Sequence, residues 1–255
     1  MHTAKFAPFA EEISFSTCCF LRERRGVRAA MVKAAIDSWT DLLDLPFKQR
    51  IFLDDHSPKI NGLRLLLSSK LIDKFDHVQY QTINHPPHSN FGIVASLELA
   101  HSPYILHLDD DVRIVAPVEE CYEVIQEAIV TMGQDPTVLG CNLLSMDPKT
   151  YGTEWRPGEP HSSSGVLFHP NKYFGTAACV VRRSLLNRIP YPQIVLWGES
   201  QPSNWEQLVS NNPREFLARQ FPTPFCVPSG SYFFNSMSRI SMRGQLLFLA
   251  RGLFR

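Results

Sequence analysis

The sequence predicts an α/β fold, a mostly parallel sheet with helices on both faces, and three observations predict it. Strand-like and helix-like segments alternate through the first two thirds of the 255 residues. Composition is that of a globular chain, 44% apolar and 20% charged, and the length suits one large domain. Two acidic clusters, Asp54-Asp55 and Asp109-Asp110-Asp111, stand directly after apolar strand-like runs.

The elements follow in order. Ile13 to Phe20 is a short β-prone run. Val27, Ala30, Met31, Ala34, Ala35, Trp39 and Leu42 recur at helical spacing. Arg50 to Leu53 predicts a second strand, ending in Asp54-Asp55-His56-Ser57-Pro58. Leu63, Leu66, Leu67, Leu71 and Phe75 mark a second amphipathic helix, and Val78 to Ile83 a third strand. Phe91 to Ala100 reads as a helix capped by Ser89 or Asn90. Tyr104 to Leu108 is a strand that runs into the aspartate triplet. Pro117 and Glu119-Glu120 open a helix to about Met132, with proline and acids at its start. Val138 to Leu144 is the next strand. Ser145 to Asn171 is rich in Pro, Gly, Ser and His and reads as a long loop. Tyr173 to Arg182 predicts a strand, followed by a short helix from Ser184. No internal repeat is present. Residues 1–238 read as one domain and 239–255 as a separate tail.

Composition excludes some functions. Twenty-five basic and 25 acidic residues give zero net charge, so no global field favours nucleic acid as a partner. The six cysteines form no CxxC pair, against a structural zinc site. Cys18, Cys141 and Cys179 lie in apolar runs and read as free core thiols suited to a reducing compartment. Residues 1–10 do not resemble a signal peptide, and no apolar run reaches membrane-span length. These features point to the cytoplasm.

Parallel sheets bind ligands at the carboxyl ends of their strands. Both acidic clusters are expected at that edge. Three adjacent carboxylates repel one another and call for a counter-charge. A hard divalent cation, Mg²⁺ or Mn²⁺, suits such oxygen donors and shares its shell with phosphates. In extended backbone Asp109 and Asp111 would face the same side, and a turn there would alter this. Asp54-Asp55 reads either as a turn and cap or as an acceptor for a nucleobase or ribose.

These runs carry a family resemblance. Ile51-Phe52-Leu53-Asp54-Asp55-His56-Ser57 resembles the "VDDGS" element of family 2 glycosyltransferases of GT-A fold. Asn90-Phe91-Gly92-Ile93, then Ala100, then Tyr104-Ile105-Leu106-His107-Leu108-Asp109-Asp110-Asp111 resembles their "NxGI…A…YILFLDxD" element. Tyr173 to Ala178 with Arg182-Arg183 resembles the segment lining the acceptor side. The resemblance covers roughly residues 12 to 190. It implies a GT-A-like, Rossmann-type sheet and a hexosyltransferase-like enzyme of polysaccharide or glycolipid biosynthesis. The implied donor is a UDP- or GDP-linked sugar, and the acceptor a saccharide, lipid-linked or protein hydroxyl, attacked with inversion. It further implies that Cys18 lies beside the nucleobase and Asp55 binds it. Asp110 would approach ribose or metal, and Asp109 and Asp111 would form the metal-binding DxD pair with Mn²⁺ or Mg²⁺.

The sequence departs from the family twice. The family's "ED" pair, which supplies the base, is absent, leaving Glu199 and Glu206 as alternative catalytic bases. Asn235 stands where relatives carry a metal-assisting histidine. His88, His101, His107 and His169 take no role, and Arg182 and Arg183 read as diphosphate or acceptor contacts or as surface residues. The tail holds Arg239, Arg243, Arg251 and Arg255 among leucines and phenylalanines. It reads either as a helix packed on the domain or as an amphipathic segment on an anionic membrane surface, at the inner face. The competing functions are a haloacid-dehalogenase-type phosphatase, a nucleotidyltransferase, and a sugar- or partner-binding relative without turnover. Arg113 stands where the phosphatase motif wants threonine, and the first loop lacks the nucleotidyltransferase's glycines.

Overall fold

The structure, a computed structural model, describes residues 9, 11–23, 25–81, 90–143, 168–170, 177–188, 215–219 and 226–228. Its elements are β1 (Ile13–Cys19), α1 (Val27–Ser38), β2 (Arg50–Asp55), α2 (Asn61–Ser68), β3 (His77–Gln81), α3 (Asn90–Glu98) and β4 (Tyr104–Asp109). Then follow β5 (Val112–Ile114), α4 (Val118–Gln134), β6 (Gly140–Asn142), β7 (Phe168–Pro170), β8 (Ala178–Arg182), β9 (Phe216–Arg219) and β10 (Cys226–Pro228).

Parallel neighbours need a crossover between them, and α1, α2 and α3 supply the first three. β3, β2, β1 and β4 are parallel neighbours in that order. Beyond β4 the sheet continues as β8-β6-β9-β7 and becomes mixed: β8 is antiparallel to β4 and β6, and β9 is parallel to β6. β5 and β10 form a separate antiparallel ribbon. The chain moves outward from β1 to β3, then returns to place β4 on the other side of β1. That reversal makes the carboxyl ends of β1 and β4 a topological switch point, where open α/β sheets bind ligands.

Strand side chains alternate between two faces. On one, Ile13, Phe15, Phe52, Leu106 and Leu108 pack with α1, α2 and α4. On the other, Ile51, Ile105, Cys179 and Val181 pack with Val94 and Leu97 of α3. Helices therefore cover both faces, as the alternating pattern predicts. Trp39 is fully buried against Phe15 (5.7 Å between ring centroids). Its indole N–H donates to the Val112 carbonyl at 2.8 Å, which ties β5 to the core.

Several local expectations are corrected. α1 forms, but its buried residues are Ala29, Met31, Val32, Ala35 and Ile36; Val27, Ala30 and Ala34 are exposed. The second helix ends at Ser68, because Lys70 takes a left-handed φ of 58°. Leu71 and Phe75 still reach the core from the turn that follows, while Leu67 is exposed. β7 lies within the segment expected to be loop, and β5, β9 and β10 were not expected. The side chains of Cys18, Cys19, Cys121, Cys141 and Cys179 form no disulfide. Among the described residues no helix is long and apolar enough to cross a membrane.

Candidate functional site

Strand alternation sorts the carboxylates into two sets. Asp55 and Asp109 belong to the α3 face, with Cys18 between them. Cys18 is the register partner of Asp109 on β4 and of Leu53 on β2, two residues before Asp55. The first turn of α3 comes down on this group so closely that only glycine fits. A Cβ on Gly92 would lie 2.5 Å from Cys18 Sγ and 2.7 Å from Asp55 Oδ2. Asp55 Oδ1 is 3.2 Å from His56 Nδ1. Asp109 Oδ1 is 3.2 Å from Nε2 of fully buried His107, whose Nδ1 has no partner among the described residues.

Asp54 faces the opposite way and is structural. Its carboxylate accepts the Ser57 N–H at 3.1 Å and the Leu63 N–H at 2.9 Å. It thus caps the first turn of α2, and a Cβ on Gly62 would lie 2.8 Å from it. These bonds restrain a loop whose residues His56, Lys59 and Ile60 all take positive φ, a costly conformation for the β-branched Ile60.

Asp110 and Asp111 are buried and share one cation. Arg28 Nη2 meets Asp110 Oδ1 and Nη1 meets Asp111 Oδ2, each at 2.6 Å. The other oxygen of Asp110 accepts the Phe20 N–H at 3.1 Å. Leu21 N–H donates to Ser57 Oγ at 2.9 Å, and Asn61 Nδ2 to the Arg22 carbonyl at 3.1 Å. The loops after β1, β2 and β4 are thus stitched together at the sheet's carboxyl edge.

Electrostatics reflects this crowding. Burial pushes the Asp110 carboxyl up to about 7; Arg28 opposes the shift, and Asp111 and Asp109 reinforce it. Asp111 is raised by burial, again against Arg28. Burial, then Asp55, Asp110 and Asp109, hold the Cys18 thiol well above its ordinary value. Cys18 is therefore a neutral wall of the site rather than a nucleophile.

The Asp110 shift has a stability consequence. The folded state holds a proton on Asp110 between the ordinary carboxylate value, about 4, and about 7, where the unfolded chain has lost it. Stability contributed by that proton is complete below the unfolded value and is lost as pH rises through the folded one. Urea denaturation in metal-free buffer from pH 4.5 to 7.5 checks this. The stability of the wild type relative to Asp110→Asn is expected to fall across that window.

The fit of a divalent cation is decided by donor chemistry. Asp109 and Asp111 offer hard oxygens, and a guanidinium already occupies part of the cluster. Among the described residues no group of three or more His, Cys, Asp or Glu side chains is gathered to hold a metal. A divalent cation here would therefore be held by one or two carboxylates together with phosphates, as Mg²⁺ and Mn²⁺ can be. Glu199, Glu206, Asn235, His88 and the tail lie outside the described residues.

Of the readings left open for Arg182 and Arg183, their position speaks against contact with a diphosphate at the acidic centre. Arg182 pairs in register with Tyr104, at the far end of β4 from the triplet, and stacks on that ring at 5.4 Å. It donates to the Val138 and Met132 carbonyls, and Arg183 to the Ala100 carbonyl. Antiparallel β8 carries both to the edge opposite the acidic centre. Arg28 was missed. An arginine in the first turn of a helix opposes the helix dipole, so its position hinted at a carboxylate partner.

No protein-family model and no curated protein sequence matches the chain. Solved structures do. The chain is similar to S. aureus TarS 1-349, with 15% identity and a TM-score of 0.50 over 89% of this chain and 63% of that one. It is similar to the mannosyltransferase PcManGT from Pyrobaculum calidifontis, solved with GDP-Man and Mn²⁺, with 12% identity and a TM-score of 0.51, covering 83% of this chain and 57% of that one. A third is glucosyl-3-phosphoglycerate synthase from Mycobacterium tuberculosis, solved with Mn²⁺, UDP and glucosyl-3-phosphoglycerate. It shares 14% identity and a TM-score of 0.50 over 87% of this chain and 76% of that one. The chain thus spans about three fifths of the length of the first two structures. At such identities the likeness concerns the backbone, and it agrees with the strand order and helix placement above. The chain has the GT-A-type α/β fold of these structures.

Proposed function

We propose that the protein is a metal-dependent glycosyltransferase that moves a sugar from a UDP- or GDP-linked donor to a hydroxyl acceptor with inversion. One observation carries the reading: Asp55, Cys18 and Asp109 converge on three adjacent parallel strand ends at the switch point, under a helix whose glycine leaves them room. The GT-A fold favours this over the phosphatase, and the poverty of glycine in the loop Leu21 to Gly26 favours it over the nucleotidyltransferase, whose fold is related.

In this reading Asp55 accepts hydrogen bonds from the nucleobase, and Cys18 and Gly92 form the wall beside it. Asp109, steadied by His107, and Asp111 hold Mn²⁺ or Mg²⁺, while Asp110 approaches the ribose. The ion would offset charge developing on the departing diphosphate. Glu199 or Glu206 would take the acceptor's proton, with Asn235 as a further oxygen ligand. The acceptor is a saccharide, lipid-linked or protein hydroxyl, and the tail would bring the protein to a membrane surface. The missing ED pair favours a second reading, a nucleotide-sugar-binding protein without turnover.

A thermal-shift screen of UDP- and GDP-sugars, each with and without Mn²⁺, tests the proposal. At least one donor is expected to raise the melting temperature only with the metal, since a ligand specific for the folded state stabilises it by mass action. No shift with any nucleotide would overturn it. Release of nucleoside diphosphate from that donor separates the enzyme from the binding protein.

A further inference from the structure

Arg28 does something the proposed reaction does not require. Its guanidinium forks across Asp110 and Asp111, with both nitrogens at 2.6 Å. Both carboxylates are only 6% exposed, whereas the arginine side chain is 36% exposed. A buried carboxylate that is ionised needs a counter-charge, and breaking such a pair leaves an uncompensated charge. The protein therefore carries its own positive charge at the acidic centre. An arginine cannot give up that charge, so it can yield only by moving, and its exposed side leaves it room to do so.

We propose that Arg28 is a resident counter-ion that competes with the divalent cation for Asp111. The Arg28–Asp111 ion pair and cation ligation by Asp111 then exclude one another, because a guanidinium and a dication on one buried carboxylate repel strongly. Asp110, anchored by the Phe20 N–H, keeps its hold on Arg28 as the arginine gives way. A bare cation must displace Arg28 with only Asp109 and Asp111 in return, and binds weakly. A cation arriving with a diphosphate brings negative charge that tolerates both positive groups. The protein thus takes up metal and nucleotide together rather than metal first. The inference rests on the functional reading above only for the presence of a cation.

The test is Mn²⁺ binding without nucleotide, followed by the electron paramagnetic resonance of free Mn²⁺ and by calorimetry, on wild type and Arg28→Gln. Arg28→Gln is expected to bind Mn²⁺ at least about tenfold more tightly, about 1.4 kcal/mol, and the gap should shrink when UDP or GDP is present. Equal or weaker binding by a folded Arg28→Gln protein overturns the inference. Should that variant fail to fold, Arg28→Lys replaces it. Lysine is a point charge that does not fork across two carboxylates, so tighter Mn²⁺ binding than wild type is again expected, and unchanged binding is fatal. Wild type that binds neither nucleotide with Mn²⁺ refutes the donor reading instead. Wild type that binds Mn²⁺ with nucleotide, beside an unchanged Arg28→Gln affinity for bare Mn²⁺, refutes only the role given to Arg28.

Discussion

Asp109→Asn is expected to lower metal-dependent release of the nucleoside diphosphate by about 10²- to 10³-fold, the usual cost of losing a group that stabilises transition-state charge. The fold should survive, because the substitution is isosteric and the Asp109 side chain is 24% exposed at a strand end. The backbone N–H of Asp109 would still donate to the Ala177 carbonyl. Calorimetry with UDP or GDP and Mn²⁺ should show the same loss, and unchanged binding would remove Asp109 from the site. Asp54→Ala provides the contrast. It removes the cap of α2 and should cost about 1–2 kcal/mol of stability with little effect on nucleotide affinity. Together the two results would separate a working carboxylate from a structural one, by the face each strand residue takes.

Gly92→Ala is expected to be the most damaging single-methyl change near the site. The added carbon would meet Cys18 Sγ at 2.5 Å and Asp55 Oδ2 at 2.7 Å, closer than real contacts allow. Either α3 lifts from the sheet or Asp55 turns aside. Overpacking of this kind costs about 1–3 kcal/mol, readable as a lower urea midpoint. Nucleotide affinity should also fall, by about tenfold or more, because the displaced carboxylate is the one assigned to the base. A Gly92→Ala protein with wild-type stability and affinity would show that α3 does not press on Asp55.

Much of this was readable from residue order. The apolar runs of β2 and β4 announced strands buried on both faces, whereas β1 alternates with serine and threonine and the edge strand β3 is mostly polar and partly exposed. The acidic residues at their ends announced the edge that matters. The resemblance singled out Asp55, but residue chemistry alone left open which aspartate faces which way, since Asp54 and Asp55 are chemically identical until the strand's alternation is anchored to a particular helix. Arg28 was hidden for another reason: it stands among Arg22, Arg24 and Arg25, and only the fold brings it to the triplet. β5, β9 and β10 are three or four residues long, too short for a period, and β10 meets its partner β5 across more than a hundred residues.

The aspartate triplet has a further consequence. Asp109 ends β4 in the eight-stranded sheet, and Val112 begins β5 in the ribbon closed by Cys226–Pro228. Only two residues separate these anchors, and the Trp39 indole fastens the second. Backbone pinned on both sides is restrained from spreading to suit a larger guest. Were a divalent cation held here, as proposed, such a frame would favour the roughly 2.1 Å metal–oxygen bonds of Mg²⁺ over Ca²⁺, whose bonds of about 2.3–2.6 Å and higher coordination number call for a looser scaffold.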